Sequence, residues 1–534
     1  MAYGKYNKYD SLAPEFETYE TIKELARAKT SKEIVKTETI CTDGIDNDKD
    51  GLIDSEDGDC WVKEGAIFIE DWYPLFTYKN LEGMIPIFKD VGIKTIQLMG
   101  MNEHCSEDNP SRRWATRDFY KLDPKRGSEE ELMSFLEKAH SNNLKVLGFI
   151  QTCCILADKN LCPKGVKGQD WDEDRKGSVL YHFDKEGKGK YILRDVDDNR
   201  VCHPMGWGYS ADLGSEDLIN YVTKWFSWWN LKYEFDGYRL DAPAKLHCPY
   251  GEYFTCSKRY KYEYKIEGEH NPLNLYREMR ISLKPNQIFL AEVPFLNPCG
   301  VNGQLPKICR YPYYPSDTLL DEIAEVSIDT SFTRLLTEEI ITSQISSKDL
   351  VNWLNNEPIL YERERIRYIR RAVDTCFLSH NFVSNDPRYF PSVVLISTIP
   401  GIPMISAYEL FGSEEVDIFC GISAIKNKPE SRLDWWKKIL SIRNNHNALK
   451  YGSIKNVWKA GDKIYAYLRE YEDEMIIVII NFQDKEITSH LNLAFVKQGG
   501  TLYDELNDEK FMVNNPTDFE ISVPSYGSRI LVLR

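Results

Sequence analysis

The sequence predicts an α/β protein built on a (β/α)8 barrel, with an inserted loop-rich subdomain and a C-terminal antiparallel β-sandwich. Between Gly65 and Asn447, short runs rich in β-branched residues alternate with longer amphipathic stretches, which is the pattern of repeated βα units. After Leu449, short strand-like runs follow one another without helices, as in an all-β domain. The length of 534 residues agrees with about three structural units.

The composition is that of a globular protein and disfavours nucleic acid as a partner. Hydrophobic residues make up 42% and charged residues 28% of the chain, which excludes a disordered or fibrous protein. The net charge of -16 works against binding to a phosphate backbone. The abundance of Tyr and Trp suits either a large core or stacking on sugars. No membrane span is predicted, because Pro400 and Pro403 interrupt the longest apolar stretch, Pro391–Ala407.

The first 40 residues form a polar arm with little to bury, and the barrel is expected over residues 61–447. Its strands are predicted at Ala66–Ile69, Lys94–Leu98, Lys145–Ile150, Gly237–Asp241, Ile288–Glu292, Glu325–Asp329, Asp374–Leu378 and Ile402–Ser406. In such a barrel, chemistry belongs to the carboxyl-terminal ends of the strands and to the loops that follow them.

Two further units are expected around the barrel. The third and fourth strands are farther apart than one helix requires, so residues 152–212, rich in Gly, Lys and Asp, are predicted to form the inserted subdomain. Residues 448–534 are predicted to form the β-sandwich. Its strands are expected at Ile464–Arg469, Met475–Phe482, Gly500–Asp504, Phe519–Val523 and Ser528–Leu533.

The 13 cysteines are many for a reduced cytosolic enzyme of this size. Three pairs of cysteines are close enough in sequence to be candidate disulfides, although spacing does not determine pairing. They are Cys41–Cys60, Cys248–Cys256 and Cys299–Cys309. We therefore expect an extracellular or cell-surface protein, whose signal peptide would be absent from this sequence. A cytoplasmic protein with buried thiols, or with the intracellular disulfides of a thermophile, is the alternative.

An acidic loop between Cys41 and Cys60 has the spacing of a calcium site. Positions one, three, five, seven, nine and twelve of an EF-hand-type loop are occupied by Asp46, Asp48, Asp50, Leu52, Asp54 and Asp57. Gly51, at the sixth position, allows the turn that wraps oxygen ligands around a hard cation. The last ligand is either a monodentate Asp57 or the neighbouring Glu56. A solvated acidic turn without metal is the alternative.

Two carboxylates and an arginine are predicted to meet at one end of the barrel. Arg239 and Asp241 are two apart at the end of the fourth strand, so their side chains point the same way. Glu292 ends the fifth strand. Burial of a lone carboxyl group after an apolar run is costly, so its presence there indicates a specific role. A carboxylate pair about 5–5.5 Å apart performs retaining glycoside hydrolysis. A structural Arg–Asp ion pair is the alternative.

Several segments, in the expected order, resemble the α-amylase superfamily, glycoside hydrolase family 13. IFIEDWYP is similar to the first strand, TRDFYKLDPKRGSEEEL to the segment after the second, SADLGSEDL to the end of the inserted domain and STIPGIPMISAYELFG to the eighth strand. The resemblance covers about residues 61–534. It implies that Asp241 is the nucleophile, Glu292 the general acid/base and Arg239 the residue that orients the nucleophile. It also implies that Trp114 replaces a sugar-stacking tyrosine.

The third acid of the family follows the seventh strand and has two candidate positions here. In one register of CFLSHNFVSNDPRYF, His380 and Asn381 stand where the family has His and Asp; in the other, Asp386 is the acid and Arg388 lies behind it. An asparagine can hydrogen-bond sugar hydroxyls but offers no charge to an oxocarbenium ion, a loss of about 10²-fold or more in rate. The sequence leaves both registers open.

The segment after the third strand, KVLGFIQTCC, departs from the family pattern. Phe149, Cys153 and Cys154 stand where the family has an Asp, a calcium-binding Asn and a sugar-contacting His. The family's calcium site between barrel and insert is therefore in question. Two further candidate substrate-binding residues are Tyr238, within DGYRLD, and Trp207, within GWGYSADL, although Trp207 suits a core equally well.

The sequence therefore favours a retaining glycoside hydrolase or transglycosylase acting on α-linked glucans or related oligosaccharides. The altered motifs after the third and seventh strands favour an alternative, a weakly active or inactive relative that serves as an extracellular glycan-binding or surface-assembly protein. The sugar, the linkage, the choice between hydrolysis and transfer and the oligomeric state do not follow from the sequence.

Overall fold

A computed structural model describes the barrel, the C-terminal domain and short parts of their connections. The described residues are 41, 44–46, 52–53, 56–70, 76–104, 116–151, 154–155, 209–210, 216–241, 273–284, 286–293, 323–360, 364–369, 386–411, 430–461 and 463–533. The polar arm and most of the inserted subdomain lie outside them. Within these residues, no helix has both the length and the apolar character needed to cross a membrane.

Eight parallel strands close into a barrel. β1 to β8 span Ala66–Ile69, Ile93–Gln97, Lys145–Gln151, Gly237–Asp241, Ile288–Val293, Val326–Asp329, Glu364–Arg367 and Ile402–Ser406. Each strand pairs with the next in chain order, and β8 pairs with β1. The strands are almost continuously buried, because alternate side chains face the barrel interior and the surrounding helices.

One barrel strand differs from its sequence prediction. The seventh strand is expected at Asp374–Leu378, but it forms at Glu364–Arg367, and residues 370–385 lie outside the described ranges. The charged sequence of the true strand resembles an exposed connection. Arg367 is nevertheless buried, because its guanidinium forms an ion pair with Glu357 on the neighbouring helix. A buried ion pair looks like surface charge in a sequence, which explains the error.

Helices cover the outside of the barrel. α1 to α11 span Gly58–Trp61, Tyr78–Val91, Glu129–Ser141, Glu216–Lys232, Leu273–Ile281, Thr330–Leu335, Ser347–Leu360, Tyr389–Thr398, Ala407–Phe411, Glu430–Asn444 and Asn447–Tyr451, and a π-helical turn, Leu336–Ile340, follows α6. Capping boxes begin two of them, Thr77 with Asn80 at α2 and Ser128 with Glu131 at α3. These side chains bond the first backbone N–H groups, which have no partner inside the helix.

Two buried carboxylates stabilise the amino-terminal end of the barrel. Asp236, just before β4, accepts a hydrogen bond of 2.8 Å from the backbone N–H of Val146. Glu325, just before β6, accepts one of 2.8 Å from the N–H of Phe289 and pairs with Arg280. Bonds from backbone N–H groups to an ionised carboxylate are strong and directional. In barrels of this type the active site lies at the opposite, carboxyl-terminal end, so these contacts are expected to contribute to stability.

A small sheet joins the connections that follow β2 and β3. Its four strands, in spatial order, are Asn102–His104, Thr116–Leu122, Cys154–Ile155 and Tyr209–Ser210. The last two belong to the two ends of the inserted segment and pair antiparallel. The chain therefore enters and leaves the insertion through adjacent strands.

The C-terminal domain consists of two antiparallel sheets around a core of its own. β9 to β17 span Ser453–Asn456, Trp458–Gly461, Tyr465–Tyr471, Glu474–Ile480, Ile487–Leu491, Thr501–Asp504, Glu509–Met512, Phe519–Val523 and Ser528–Leu533. One sheet has the order β9-β11-β12-β17-β14-β15 and the other β10-β13-β16. Four of these strands, β9, β10, β13 and β15, are absent from the sequence prediction. Three of these, β9, β10 and β15, are edge strands with mostly exposed side chains, so they lack an apolar signal.

Two fully buried arginines connect the barrel to the C-terminal domain. Arg443 on α10 and Arg469 on β11 both donate to the carbonyl oxygen of Leu449, at 2.8 and 3.2 Å. Arg443 also donates to Gly401 O, and Arg469 to Thr398 O at the end of α8. Burial lowers the pKa of Arg443 to about 10 and that of Arg469 to about 9. Both therefore stay charged at neutral pH and tie carbonyl groups of the two units together.

A histidine lies between two carboxylates near this junction. Nδ1 of His446 is 2.5 Å from Glu474 Oε1, and Nε2 is 2.8 Å from Glu505 Oε2. Partial burial acts to lower the pKa of His446, but the hydrogen bonds and charges of the two carboxylates outweigh it, so the pKa is raised. The protonated ring carries a donor on each nitrogen and so satisfies both carboxylates.

We expect His446 to stabilise the protein in a pH-dependent way. The pKa of His446 in the folded state exceeds its unfolded value of about 6.5. Its contribution to the free energy of unfolding is therefore fully present below about pH 6.5 and is lost as the pH rises through the folded-state pKa. Thermal unfolding of the wild type and of His446→Gln, measured from acidic to alkaline pH, should show a difference in Tm that shrinks as the pH rises. A difference that stays constant across this range would contradict the assignment.

Candidate active site

Asp241 and Glu292 lie at the carboxyl-terminal ends of neighbouring strands. Asp241 is the last residue of β4, and Glu292 is the penultimate residue of β5. The strands are parallel and their register pairs Leu240 with Ala291, which places the two acidic residues side by side on the same face of the sheet. The structure thus brings together the two carboxylates that the sequence analysis selects.

Arg239 connects this carboxylate pair. Its Nη2 is 2.5 Å from Glu292 Oε2 and 3.4 Å from Asp241 Oδ1. The side chains of Arg239 and Glu292 are each 1% exposed, whereas that of Asp241 is 15% exposed. Buried charges persist only when they are paired. The guanidinium therefore allows two carboxylates to lie close together in the barrel interior.

Phe149 and Met99 contribute to the wall around Arg239. The guanidinium carbon lies 5.4 Å from the centroid of the Phe149 ring, a cation–π arrangement, and Nη1 contacts the Met99 sulfur. Phe149 is the residue that departs from the family's Asp, and here it offers an aromatic face to the arginine. Sequence reasoning misses Met99, because a methionine after an apolar strand looks like any core residue.

A second buried ion pair fixes the backbone of Met99. Glu70 follows β1 and pairs with Arg126, and both side chains are fully buried. Glu70 Oε2 accepts a hydrogen bond of 3.2 Å from the Met99 N–H, while Arg126 Nη1 donates one of 2.6 Å to the Met99 carbonyl. Because Met99 contacts Arg239, this pair supports the carboxylate site from behind. Both residues lie in segments that resemble the family, but the sequence assigns neither of them a role.

Tyr238 is not part of this site. Its side chain is fully buried, its hydroxyl donates to Asn230 on α4 at 2.9 Å, and its ring centroid lies 4.9 Å from that of Phe226. Alternate residues of a strand face opposite sides, so Tyr238 packs against the helices while Arg239 and Asp241 face the barrel interior. The prediction that Tyr238 binds substrate is therefore wrong.

Asp386 lies just before α8 and is bound by Arg388. Nε and Nη2 of Arg388 lie 2.8 and 2.5 Å from the two carboxylate oxygens, and its backbone N–H also donates to Asp386. Partial burial acts to raise the pKa of Asp386, but these hydrogen bonds outweigh it, so the pKa is lowered. These contacts tie Asp386 to the start of α8 and not to the carboxylate pair. His380 and Asn381 lie outside the described residues, so both registers stay predictions.

The acidic loop is described in part. Cys41 and Cys60, which bracket it, form a disulfide with a Cα–Cα distance of 5.4 Å. Asp57 lies just before α1 and is buried. Within the described ranges, no cluster of three or more His, Cys, Asp or Glu side chains has the arrangement of a metal site.

Several candidate residues belong to parts of the chain that the structure does not describe. They are Asp48, Asp50 and Asp54 of the acidic loop, Trp114, Trp207, and the cysteines Cys248, Cys256, Cys299 and Cys309. Asp46 and Leu52 are described. The oxygen-rich composition of the loop fits a hard cation.

Comparisons of the sequence with known proteins point to enzymes of α-glucan metabolism. Residues 456–530 match the family described as Maltogenic Amylase, C-terminal domain. The chain is 23% identical over 431 residues to a cyclomaltodextrinase of Thermoanaerobacter pseudethanolicus, covering 77% of this chain and 65% of that protein. It is 26% identical over 268 residues to a 1,4-alpha-glucan-branching enzyme of Aspergillus oryzae, covering 49% and 34%. The chain thus spans less than two thirds of the length of either relative.

Solved structures share the fold. A maltogenic α-amylase from Thermotoga neapolitana superposes with a TM-score of 0.65 at 16% identity, over 88% of this chain and 99% of that one. An α-amylase from Geobacillus thermoleovorans, complexed with acarbose, gives 0.64 at 14% identity, over 88% and 98%. At sequence identities this low, the structural similarity shows that the fold is shared and nothing more.

A (β/α)8 barrel followed by an antiparallel domain of the maltogenic amylase type defines the class of α-amylase-like proteins. The carboxylate pair lies where that class of barrel carries its functional residues, at the carboxyl-terminal ends of strands. The sequence matches and the shared fold support the resemblance to the α-amylase superfamily, glycoside hydrolase family 13.

We expect Arg239→Met to destabilise the fold at neutral pH and to do so less in acid. The variant leaves Asp241 and Glu292 together without their cation, and breaking a buried ion pair costs about 3–5 kcal/mol. Because acid protonates carboxyl groups and removes their charge, the loss in unfolding free energy should shrink between about pH 7 and about pH 4. Denaturant unfolding at the two pH values measures it.

The double variant Arg239→Met/Glu292→Gln is the matched control. It removes the more buried of the two negative charges, so it should recover part of the stability at neutral pH. An equal loss at both pH values, together with no recovery in the double variant, would show that Arg239 does not hold the pair.

Proposed function

We propose that the protein is a retaining glycoside hydrolase or transglycosylase acting on α-linked glucans or related oligosaccharides. The observation that carries this proposal is the contact of Arg239 with both Asp241 and Glu292 at the ends of adjacent strands. The similarity to a cyclomaltodextrinase and a branching enzyme supports an α-glucan substrate. The acarbose complex of a structural relative supports binding of oligosaccharide-like ligands.

In the first step of the proposed reaction, Asp241 attacks the anomeric carbon of the bound sugar. The glycosidic bond breaks as an ester between the sugar and Asp241 forms, and Glu292 gives its proton to the leaving oxygen. A nucleophile must be ionised, and Arg239 favours that form of Asp241 because a nearby opposite charge stabilises the carboxylate. Asp241 is also the more exposed member of the pair.

In the second step, an acceptor hydroxyl attacks the same carbon and releases Asp241. Glu292, now a carboxylate, takes the proton of that hydroxyl and returns to its starting form. A water molecule as acceptor gives hydrolysis, and a sugar hydroxyl gives transfer. The chemistry of the two carboxylates is the same for both outcomes.

The position of Arg239 adds a requirement to this cycle. Glu292 must hold a proton before the first step, yet Arg239 Nη2 lies closer to Glu292 than to Asp241, at 2.5 against 3.4 Å. A cation this close favours the ionised carboxylate. In the proposed cycle, substrate binding therefore moves the guanidinium toward Asp241, which releases Glu292 to be protonated.

The same contact favours a second candidate function, binding of glycans without turnover. A Glu292 carboxylate that stays paired with Arg239 accepts hydrogen bonds from sugar hydroxyls but has no proton to donate. In that case the barrel end recognises a sugar and does not cleave it. Binding that is independent of catalysis separates this candidate from the enzyme.

We expect the wild type to act on starch, maltooligosaccharides or cyclomaltodextrins, and Asp241→Asn and Glu292→Gln to lose that activity. Asp241→Asn removes the nucleophile, and the loss of general acid/base catalysis in Glu292→Gln costs about 10²–10⁴-fold in rate. The assay measures release of reducing ends together with transfer products, and NMR of the first product should show retained anomeric configuration.

Asp386→Asn and Asn381→Ala, compared in the same assay, identify which residue fills the third catalytic position. Wild-type and Asp241→Asn proteins with the same activity would contradict the enzymatic proposal. Tight maltooligosaccharide binding without turnover would support the second candidate.

We also propose that the acidic loop binds calcium as a structural ion. Its ligands would be the side chains of Asp46, Asp48, Asp50, Asp54 and Asp57 and the backbone carbonyl of Leu52. Support comes from the donor chemistry and spacing, and from the disulfide that joins the two ends of the loop. A bound cation would offset the repulsion among these carboxylates. The disulfide and the cysteine content also support our proposal of an extracellular or cell-surface location.

We expect EDTA to lower the Tm and added Ca²⁺ to restore it. A ligand that binds only the folded state raises stability with the logarithm of its concentration, so the Tm should keep rising with Ca²⁺ above saturation. Mg²⁺ at equal concentration should be less effective, because it needs a tighter octahedral site. Asp48→Asn is the matched variant and should abolish the response. A Tm unaffected by EDTA and by Ca²⁺ would contradict the proposal.

A further inference from the structure

A cavity of about 550 Å³ lies between α7 of the barrel and the first strands of the C-terminal domain. Its size is within the range of small-molecule sites, about 300–1,000 Å³. The helix contributes Asn352 and Asn355, among others, and the strands contribute Asn456 and Trp458. None of the residues that line it belongs to the carboxylate site. We call this feature the junction cleft.

The strand side of the junction cleft carries polar atoms without partners. The indole Nε1 of Trp458 and the amide Oδ1 of Asn456 are buried and have no hydrogen-bond partner among the described residues. The amide nitrogen of Asn456 donates to the Trp458 carbonyl at 3.0 Å, which holds the two residues together. A buried donor and a buried acceptor without partners are costly in free energy. Hydrogen bonds from the hydroxyl groups of a ligand to these two atoms would remove that cost.

The helix side adds exposed amides. Asn352 and Asn355 are exposed on α7, and each side-chain amide can both donate and accept hydrogen bonds. Asn355 Nδ2 lies 3.3 Å from the carbonyl oxygen of Ile454 on β9, a contact that joins the helix to the strand. The two walls of the cleft are therefore connected directly, and both present amide groups.

The charges around the junction cleft favour a neutral ligand. Of the three lysines that line it, Lys455 pairs with Glu470 and Lys459 with Asp518, while Lys348 is exposed to solvent on α7. The charges of Lys455 and Lys459 are therefore largely compensated, which leaves Lys348 as the one lysine in the lining without an acidic partner among the described ion pairs. A phosphate site would call for uncompensated cations or a cradle of backbone N–H groups.

We propose that the junction cleft is a second carbohydrate site, which binds a stretch of α-glucan chain by stacking a sugar ring on Trp458. A pyranose ring has an apolar face, which suits an indole, and a rim of hydroxyls, each of which donates and accepts. The hydroxyls would bond Asn456 and the amides of α7. The site keeps a long chain on the protein while another part of that chain reaches Asp241. The choice of ligand rests on the proposed function.

Maltoheptaose titration of the full chain carrying Glu292→Gln tests the proposal, since this change prevents consumption of the ligand. Calorimetry should resolve two binding events. Adding Trp458→Ala should weaken one event about tenfold and leave the other unchanged. Trp228→Ala is the matched control: Trp228 is also partly exposed but lies on α4, outside the cleft, so both events should remain.

Asn352→Trp provides a second test that does not disturb the strand side. Residue 352 is exposed on α7, so a large side chain there fills the cleft without entering the core, and it should abolish the same binding event. This variant decides the question if Trp458→Ala fails to fold. Maltoheptaose binding that is unchanged in both variants would overturn the proposal.

The outcomes for the junction cleft and for the proposed function are distinguishable. Turnover by the wild type with no binding event sensitive to Trp458→Ala or Asn352→Trp refutes the cleft site and leaves the enzymatic function standing. A binding event that these variants remove, in a protein without turnover, supports the cleft site and refutes the enzymatic function.

Discussion

The site depends on the guanidinium group of Arg239, which lies between two carboxylates inside the barrel. Without that cation, Asp241 and Glu292 would be neighbouring negative charges, one partly and one almost fully buried. The aromatic face of Phe149 and the sulfur of Met99 surround the arginine, and the Glu70–Arg126 pair fixes the Met99 backbone. The planar, permanently charged fork of arginine suits a place where several partners must be contacted at once.

Buried arginines perform the same task elsewhere in the protein. Arg367 joins the seventh barrel strand to α7 through Glu357, while Arg443 and Arg469 gather carbonyl groups where the barrel meets the C-terminal domain. Each burial is costly unless nearly every donor finds an acceptor. The relative positions of strands, helices and domains are therefore constrained by polar contacts as well as by apolar packing. The carboxylate site is held within this framework.

The sequence predicts most of this architecture, because its signals are local. Alternating β and α patterns locate seven barrel strands, and polar residues that end apolar strands locate Asp241 and Glu292. The seventh strand is misplaced because Arg367 is buried through a partner distant in sequence. Tyr238 is assigned to the wrong face, although the alternation that unites Arg239 and Asp241 also excludes it. The support from Met99 depends on three-dimensional contacts that no sequence spacing reveals.

In the proposed reaction Asp241 forms the covalent bond to the sugar, and trapping that bond is the most direct test of its role. An α-maltosyl fluoride needs little help from an acid to lose fluoride, but hydrolysis of the resulting ester needs a base. Glu292→Gln incubated with this substrate should therefore accumulate a glycosylated protein. Mass spectrometry should locate the added maltosyl group on the peptide that contains Asp241. A sugar attached to another residue, or no adduct in a folded protein that binds the substrate, would contradict the account.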